Sequence, residues 1–387
     1  MTATDIEPIT LRRVATMVLR VPLAEPIPTA FGGRMDARVT LLVRLEDAEG
    51  AVGWGEVWCN FPTFGAEHRA LLMERIIAPL VLSQPLVPAE AAAALERRLH
   101  TLSLQTGEFG PLAQVLGGFD MALWDLAGRR AGVPTHRLMG STVDAVPAYA
   151  SGINPTRPDE TVRAAQAVGF RAFKLKVGFG RERDLENAAA VARCLRPGEV
   201  FVVDANQAWS VEEACQMAEA LAPLGPRWLE EPLPADATPA DWKRVASVGV
   251  PLAAGENMRG LATFVAALAE GWLSVAQPDA GKWGGLSGGL KVARRALGAG
   301  RRFCPHHLAG AIGLTGAAHL LAASGGDGVL ETDVNDNPLR SVLAGPLPGL
   351  VDGRWPLADA PGLGLSPDRV AIAAWVAREG EVCAGSV

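Results

Sequence analysis

Three carboxylates, Asp204, Glu230 and Glu256, follow one another at intervals of 26 residues. Each closes a short apolar run, in "VFVVDAN", "WLEEP" and "PLAAGEN". Gathered bare, such acids would repel strongly, but they make an oxygen cage for a hard cation. Mg²⁺ suits them because it takes one oxygen from each and keeps open positions for substrate oxygens. A strand-end acid often caps the helix that follows it; three at equal spacing favour the metal. Lys174 and Lys176 stand two apart in "AFKLKVG", so both point to one face of a strand. Two ammonium groups near a divalent cation disfavour each other's charge, which lowers a lysine pKa towards neutrality and makes a base. Asp279 and His306 close two further runs. A carboxylate bonded to one imidazole nitrogen fixes the tautomer and raises the basicity of the other, giving a second base. Neighbours on a strand point opposite ways, so periodicity alone leaves His306 and His307 undecided.

Something must bring these groups to one place. After Gly140 eight apolar runs alternate with amphipathic helical segments: "VPAYASG", "AFKLKVG", "VFVVDAN", "WLEEP", "PLAAGEN", "LSVAQPDA", "RRFCPHH" and "GVLETD". The repeat of roughly 25 to 30 residues is that of a TIM barrel, whose chemistry lies at the C-terminal ends of its strands. A doubly wound sheet would also alternate, but no GxGxxG or GxxxxGK[ST] follows any run. From the second run onward each delivers an ionisable group to that rim: Lys174 and Lys176, Asp204 with Asn206, Glu230 with Glu231, Glu256, Asp279 followed by Lys282, His306 with His307, and Glu331. Before Gly140, "ARVTLLVRLEDAEGAVGWGEV" alternates as an antiparallel hairpin does, and "HRALLMERIIAPLV", "AAAALERRLH" and "PLAQVLGGFDMALWDLAGRRAG" have helical spacing. The expected organisation is an α+β domain over 1–140, a β/α barrel over 141–335, and a Pro- and Gly-rich segment over 336–387 that returns to the first domain.

Composition narrows the partners. The 387 residues are 49% apolar and 20% charged, with a net charge of −6 and acids and bases interspersed. There is no basic footprint for nucleic acid or anionic lipid, so small molecules are the expected partners. Five cysteines without CxxC spacing argue against a disulfide framework or structural zinc and fit a reducing cytoplasm. The start "MTATDIEPIT" lacks the apolar core of a signal peptide, and no stretch is apolar enough to span a membrane.

The ordered set "KLK", "DAN", "EEP", "GEN", "PDAGKWGG", "PHH" and "LETD", with "GGFDMALWDLAGRRAGVP" and "GWGE" ahead of it, resembles the enolase superfamily, in its mandelate racemase branch. The likeness covers nearly the whole chain. It implies an α/β fold, a modified TIM barrel with an α+β N-terminal capping domain completed by the C-terminal segment. It implies Mg²⁺ on Asp204, Glu230 and Glu256, and abstraction of the proton α to a substrate carboxylate through an ene-diolate, a general pattern of that superfamily. It places His306, rather than His307, in the dyad. It also implies a homo-oligomer.

On this resemblance Lys176 and His306 serve opposite faces of the substrate, with Asp279 orienting His306. Lys174 and Lys282 help neutralise the carboxylate, Glu331, if protonated, bonds its far oxygen, and Asn206 supports the metal shell. Dehydration of an aldonate or aldarate to a 2-keto-3-deoxy acid comes first; racemisation or epimerisation of a 2-hydroxy acid is the alternative. Substrate choice is expected in "AEPIPTAFGGRM" and "CNFPTFGAEH", through Phe31, Asn60 and His68 near Phe61 and Phe64, and at Tyr149, placed at the end of the first run. Two other classes compete: a Schiff-base aldolase would also place a lysine on a barrel strand but has no need of three spaced acids, and an idle acid-binding barrel would keep the ligands without the bases.

Overall fold

The computed structural model describes residues 6–28, 34–62 and 64–385. The chain opens with β1 (Ile9–Pro28), β2 (Arg34–Asp47) and β3 (Val52–Trp58), an antiparallel meander. Strand β1 lies wholly before the alternating stretch, which opens at Ala37 within β2. Its consecutive Arg12 and Arg13 break the period of two, and its pairing with β2 shifts register between Leu11 and Arg13. The turn after β2 closes where Asp47 N donates to Ala51 O at 3.1 Å and Gly50 takes φ +90°. Helix α1 (Gly65–Leu72) runs through a π turn into α2 (Ala78–Val81); β4 (Pro85–Leu86), α3 (Pro88–Thr106), α4 (Phe109–Ala131) and α5 (Thr135–Leu138) follow.

Helix α4 is nearly all buried, and its polar residues hold the molecule together. Asp125 accepts from Trp54 N at 2.7 Å and Leu363 N at 2.6 Å, while Asp120 accepts from Ser287 N at 2.9 Å and Trp124 donates to Ser287 Oγ at 2.8 Å. The "GWG" of β3 exists for this helix. A Cβ on Gly53 or Gly55 would stand 2.2 Å from Ala122 O or 2.0 Å from Gly118 O, so only glycine permits the approach.

The second sheet holds β5 (Ala145–Ile153), β6 (Ala172–Lys176), β7 (Val200–Asp204), β8 (Leu229–Glu230), β9 (Leu252–Ala254), β10 (Leu273–Ala276), β11 (Arg302–Phe303) and β12 (Leu330–Asp333). All eight predicted runs are strands. They lie in the order β11-β10-β9-β8-β7-β6-β5-β12, every pair parallel. Helices α6 (Pro158–Ala167), α7 (Arg181–Cys194), α8 (Val211–Leu221), α9 (Pro239–Ala246), α10 (Leu261–Ala269), α11 (Gly285–Gly298) and α12 (Ala311–Ser324) separate them, and only the short α13 (Pro338–Ser341) follows β12. This is a modified barrel, seven full β/α units and a last strand. Inside it Val202, Trp228, Ala253, Val275 and Cys304 form a separate apolar layer under the strand ends.

The remaining chain divides its contacts. Strand β13 (Arg354–Pro356) pairs with β5, and β14 (Val376–Cys383) pairs antiparallel with β1. No disulfide joins the cysteines, and no helix among the described residues is long and apolar enough to cross a membrane.

Candidate active site

The parallel register sets Lys176 beside Asp204 and Asp204 beside Glu230, so the ends of β6, β7 and β8 form one ledge. Lys176 Nζ donates to Asp204 Oδ2 at 2.6 Å and to Asn206 Oδ1 at 2.9 Å. Lys174, with no exposed surface, reaches Glu230 and Glu331 at 2.6 Å each and Asp204 at 3.2 Å. Gln277 Nε2 donates to the other Glu230 oxygen at 2.8 Å, and Ser151 Oγ donates to Glu331 at 2.5 Å. Across the mouth His306 Nδ1 meets Asp279 Oδ2 at 2.6 Å, and its Nε2 bonds Glu256. Lys282 contacts Glu256 at 3.1 Å and lies 4.5 Å from the ring centroid of Trp58.

A cavity of about 340 Å³ opens above this ledge. Lys176, Asn206, Glu256, Lys282, His306 and Glu331 line it. His306, not His307, faces it: His307 Nε2 lies 3.2 Å from Gly310 O, turned to the start of α12. The capping domain supplies a lid wall of Met35, Trp58 and Phe61. Glu56 joins lid to barrel, taking Gly310 N at 2.6 Å, Gly313 N at 2.8 Å and Thr40 Oγ1 at 2.7 Å.

Several expectations fail here. Tyr149 lies within β5 rather than at its end and is 1% exposed, edge-on to Trp228 with Lys174 5.7 Å from its ring; it belongs to the packed interior and does not line the cavity. Asn60 donates to Leu308 O at 3.1 Å behind the cavity wall, and His68 pairs with Glu108 at 3.2 Å; neither is among the lining residues. Phe64 is exposed, and Phe31 lies outside the described residues. Among the protein's own charges, the expectation having included a divalent cation, the lysines are not driven towards neutrality. Burial alone would lower both, but the acids around them prevail and raise Lys174 well above its usual value and Lys176 with it. Glu331 is not held protonated: burial would raise it, yet Lys174 and His306 bring it down to about 2.

The sequence put Glu231 at the rim without a role and did not single out Gln277, Ser151 or Trp58. Glu231, at φ +38°, receives both of its contacts from Asn257 Nδ2, at 3.1 and 2.9 Å. Gln277, Ser151 and Trp58 carried no motif. The spacing of Glu331 and Asp333, two apart in "LETD", was a signal, since both point to one face.

The charges show what the mouth lacks. Among the described residues, Asp204, Glu230, Glu231, Glu256, Asp279 and Glu331 face Lys174, Lys176 and Lys282, with His306 as a fourth, protonated cation. Burial, then repulsion by Asp204, lifts Glu230 to about 7; burial, then Glu256, lifts Glu231 well above its usual range. His306, which burial would lower, is pushed up to about 10 by Glu256 and Glu331. Among the described residues no three His, Cys, Asp or Glu side chains stand assembled as a coordination shell, because the ammonium groups occupy the carboxylates. The donor chemistry nonetheless fits a hard divalent cation: oxygen ligands in negative excess.

The protein-family model for the mandelate racemase/muconate lactonizing enzyme N-terminal domain matches residues 12–140, and that for the enolase C-terminal domain-like region matches 158–371. The chain belongs to this family. D-galactarolactone cycloisomerase of Agrobacterium fabrum is 32% identical over 376 residues, 93% of this chain and 97% of that one. The crystal structure of a mandelate racemase/muconate lactonizing enzyme from Bordetella bronchiseptica RB50 matches with a TM-score of 0.87 and 48% identity, over 95% of this chain and 99% of that one. That of L-talarate dehydratase from Polaromonas sp. JS666, complexed with Mg and L-glucarate, matches with a TM-score of 0.82 and 26% identity, over 97% and 99%.

Proposed function

We propose that this enzyme removes the proton α to the carboxylate of a sugar acid and expels the β-hydroxyl, giving a 2-keto-3-deoxy acid. One observation carries the reading: Lys176 of β6 and His306 after β11 line the same cavity from different sides, with the carboxylate ledge between them. Asp204, Glu230 and Glu256 would hold Mg²⁺, the ion named with the Polaromonas dehydratase. When bound, such an ion would offset charge developing on the substrate carboxylate and would weaken the field of Asp204 and Glu256 on Lys176 and His306. Lys176 takes the α-proton. Its contact with Asn206 fixes the ammonium's direction. His306, oriented by Asp279, delivers a proton to the departing hydroxyl or to the opposite face of the carbon. Lys174, pinned by Glu230 and Glu331, supplies fixed positive charge under the carboxylate.

A cycloisomerase reading has its own support in the Agrobacterium relative. It shares proton removal and differs in the leaving group, a ring oxygen of a lactone. We also propose a homo-oligomer and the domain limits 1–140, 141–335 and 336–387; light scattering and limited proteolysis test these. The chemical test is incubation of aldonic and aldaric acids with the protein and Mg²⁺ in deuterated water. Keto product carrying deuterium at C3, where the enol takes its proton, is expected. Lys176→Met and His306→Asn should each remove exchange from one face, and undiminished exchange in both would refute the assignment.

A further inference from the structure

The cavity has a second charged end. Glu331 and Asp333 stand two apart on β12 and both line the cavity, so the wall runs about 7 Å from the reacting end to Asp333. That matches the reach of a five- or six-carbon acid. At the far end Arg38, on β2 of the capping domain, donates to Asp333 Oδ2 at 3.1 Å, the two side chains being 3% and 4% exposed. A second guanidinium sits behind the first. Arg340 bonds the backbone carbonyls of Asp333 and Asn335 and lies 3.7 Å from the Asp333 carboxylate.

A buried guanidinium, Arg38, and a largely buried one, Arg340, therefore share one buried carboxylate. Asp336, the other acid acting on Arg340, is exposed and screened by water. Asp333 cannot turn to satisfy both, because its Oδ1 is already taken by Asn335 N at 3.0 Å and Asn335 Nδ2 at 2.6 Å. The Nε of Arg38 and the Nε of Arg340 have no acceptor among the described residues. Buried positive charge in excess of its counter-charge favours an anionic occupant, and a guanidinium fork matches a carboxylate. A neutral hydroxyl would leave that excess unmatched.

We infer that Arg38, backed by Arg340, holds a second carboxylate at the far end of the substrate, so that the substrate class is a dicarboxylic sugar acid rather than a monocarboxylic acid. The inference rests on the proposed function for where the reacting carboxylate lies. Since Arg38 comes from the capping domain and Asp333 from the barrel, the same contact would tie the two together over bound substrate.

The test compares matched six-carbon diacids and monoacids, galactarate with galactonate and glucarate with gluconate, on the full chain with Mg²⁺. The expected kcat/KM is at least tenfold higher for the diacid, mostly through KM. In Arg38→Met the diacid should lose at least a hundredfold while the monoacid loses far less, so the preference collapses; Arg38→Lys should restore part of it. Calorimetric binding of the same pairs to the Lys176→Met, His306→Asn double variant reads the preference without turnover. Equal affinities, or a preference that survives Arg38→Met, would overturn the inference. Selective diacid binding with no exchange at either face would instead uphold it and sink the catalytic reading.

Discussion

Replacing Glu56 should show how strongly the lid is welded to the barrel. Its carboxylate serves three buried donors: Thr40 Oγ1 and Gly310 N on one oxygen and Gly313 N on the other. Glycine at 310 and 313 is what lets it approach; a Cβ on Gly310 would lie 2.7 Å from Glu56 Oε1. Glu56→Ala strands all three. Each buried donor left unmet costs about 1–3 kcal/mol. Against this, burial already raises the Glu56 pKa and so penalises the ionised acid, a cost that alanine removes. The net loss should be about 3–5 kcal/mol, large beside the ~5–15 kcal/mol of a native protein yet short of abolishing the fold. Glu56→Gln keeps one acceptor oxygen for Thr40 and Gly310 but turns an NH₂ towards Gly313 N, so a loss of about 1–3 kcal/mol is expected. Urea unfolding followed by tryptophan fluorescence and by activity measures both. Because Gly310 lies four residues beyond His306, exchange on the His306 face should fall further than on the Lys176 face. A Glu56→Ala stability within about 1 kcal/mol of the parent, or equal effects from Gln and Ala, would refute this account.

Lys174→Met would leave Asp204, Glu230 and Glu331 without their shared ammonium, at a cost of about 3–5 kcal/mol; a lowered melting temperature, partly recovered by millimolar Mg²⁺, is expected, and no change would contradict the charge balance described for the mouth. Removing divalent ions by dialysis against a chelator should abolish turnover and lower the melting temperature, and Mg²⁺ at a hundred times its Kd should return about 2.7 kcal/mol. The buried pair His136 and His319 supplies a pH test: burial, then His136, depresses His319 from 6.5 to about 3. A histidine depressed in the folded state is protonated first in the unfolded chain, so its contribution is whole above pH 6.5 and is lost as pH falls from there towards 3. At pH 5 the loss is about 2 kcal/mol. Denaturation of the parent and His319→Asn at pH 7.5 and 5.0 should show the variant less acid-sensitive; identical sensitivity would exclude this histidine.

The strands were legible because buried parallel strands write themselves as short apolar runs, and the barrel's period then forced each run's last polar residue to one rim. That is how Lys174, Lys176, Asp204, Glu230 and Glu256 could be put together from spacing, and how Glu331 could be placed at the end of the last run, whereas His306 was told from His307 only by the family resemblance. What spacing cannot carry is the sum of fields at a point. Two lysines two apart suggest mutual repulsion and lowered pKa values, yet each is surrounded by acids from neighbouring strands, and the sum has the opposite sign. Glu331 is ionised for the same reason. Tyr149 failed for a geometric one: the first strand runs to Ile153, four residues past it, which sinks the ring into the interior layer.

Arg38 marks the other limit of sequence reading. It sits in an alternating strand, "ARVTLLVRLED", where a charged residue reads as solvent-facing. Its partner is 295 residues away, and nothing local distinguishes it from Arg44 on the same strand. The distinction arises only when β2 is laid over the barrel mouth and one arginine falls on Asp333, with Arg340 3.7 Å from the same carboxylate. Groups that act on the substrate at the strand ends are thus set by the barrel's period, whereas those that choose among substrates come from a different element whose register the barrel does not control. The two can vary separately, and substitutions at Arg38, Asp333 and Arg340 should therefore move substrate preference while leaving the face-specific exchange pattern of Lys176 and His306 recognisable.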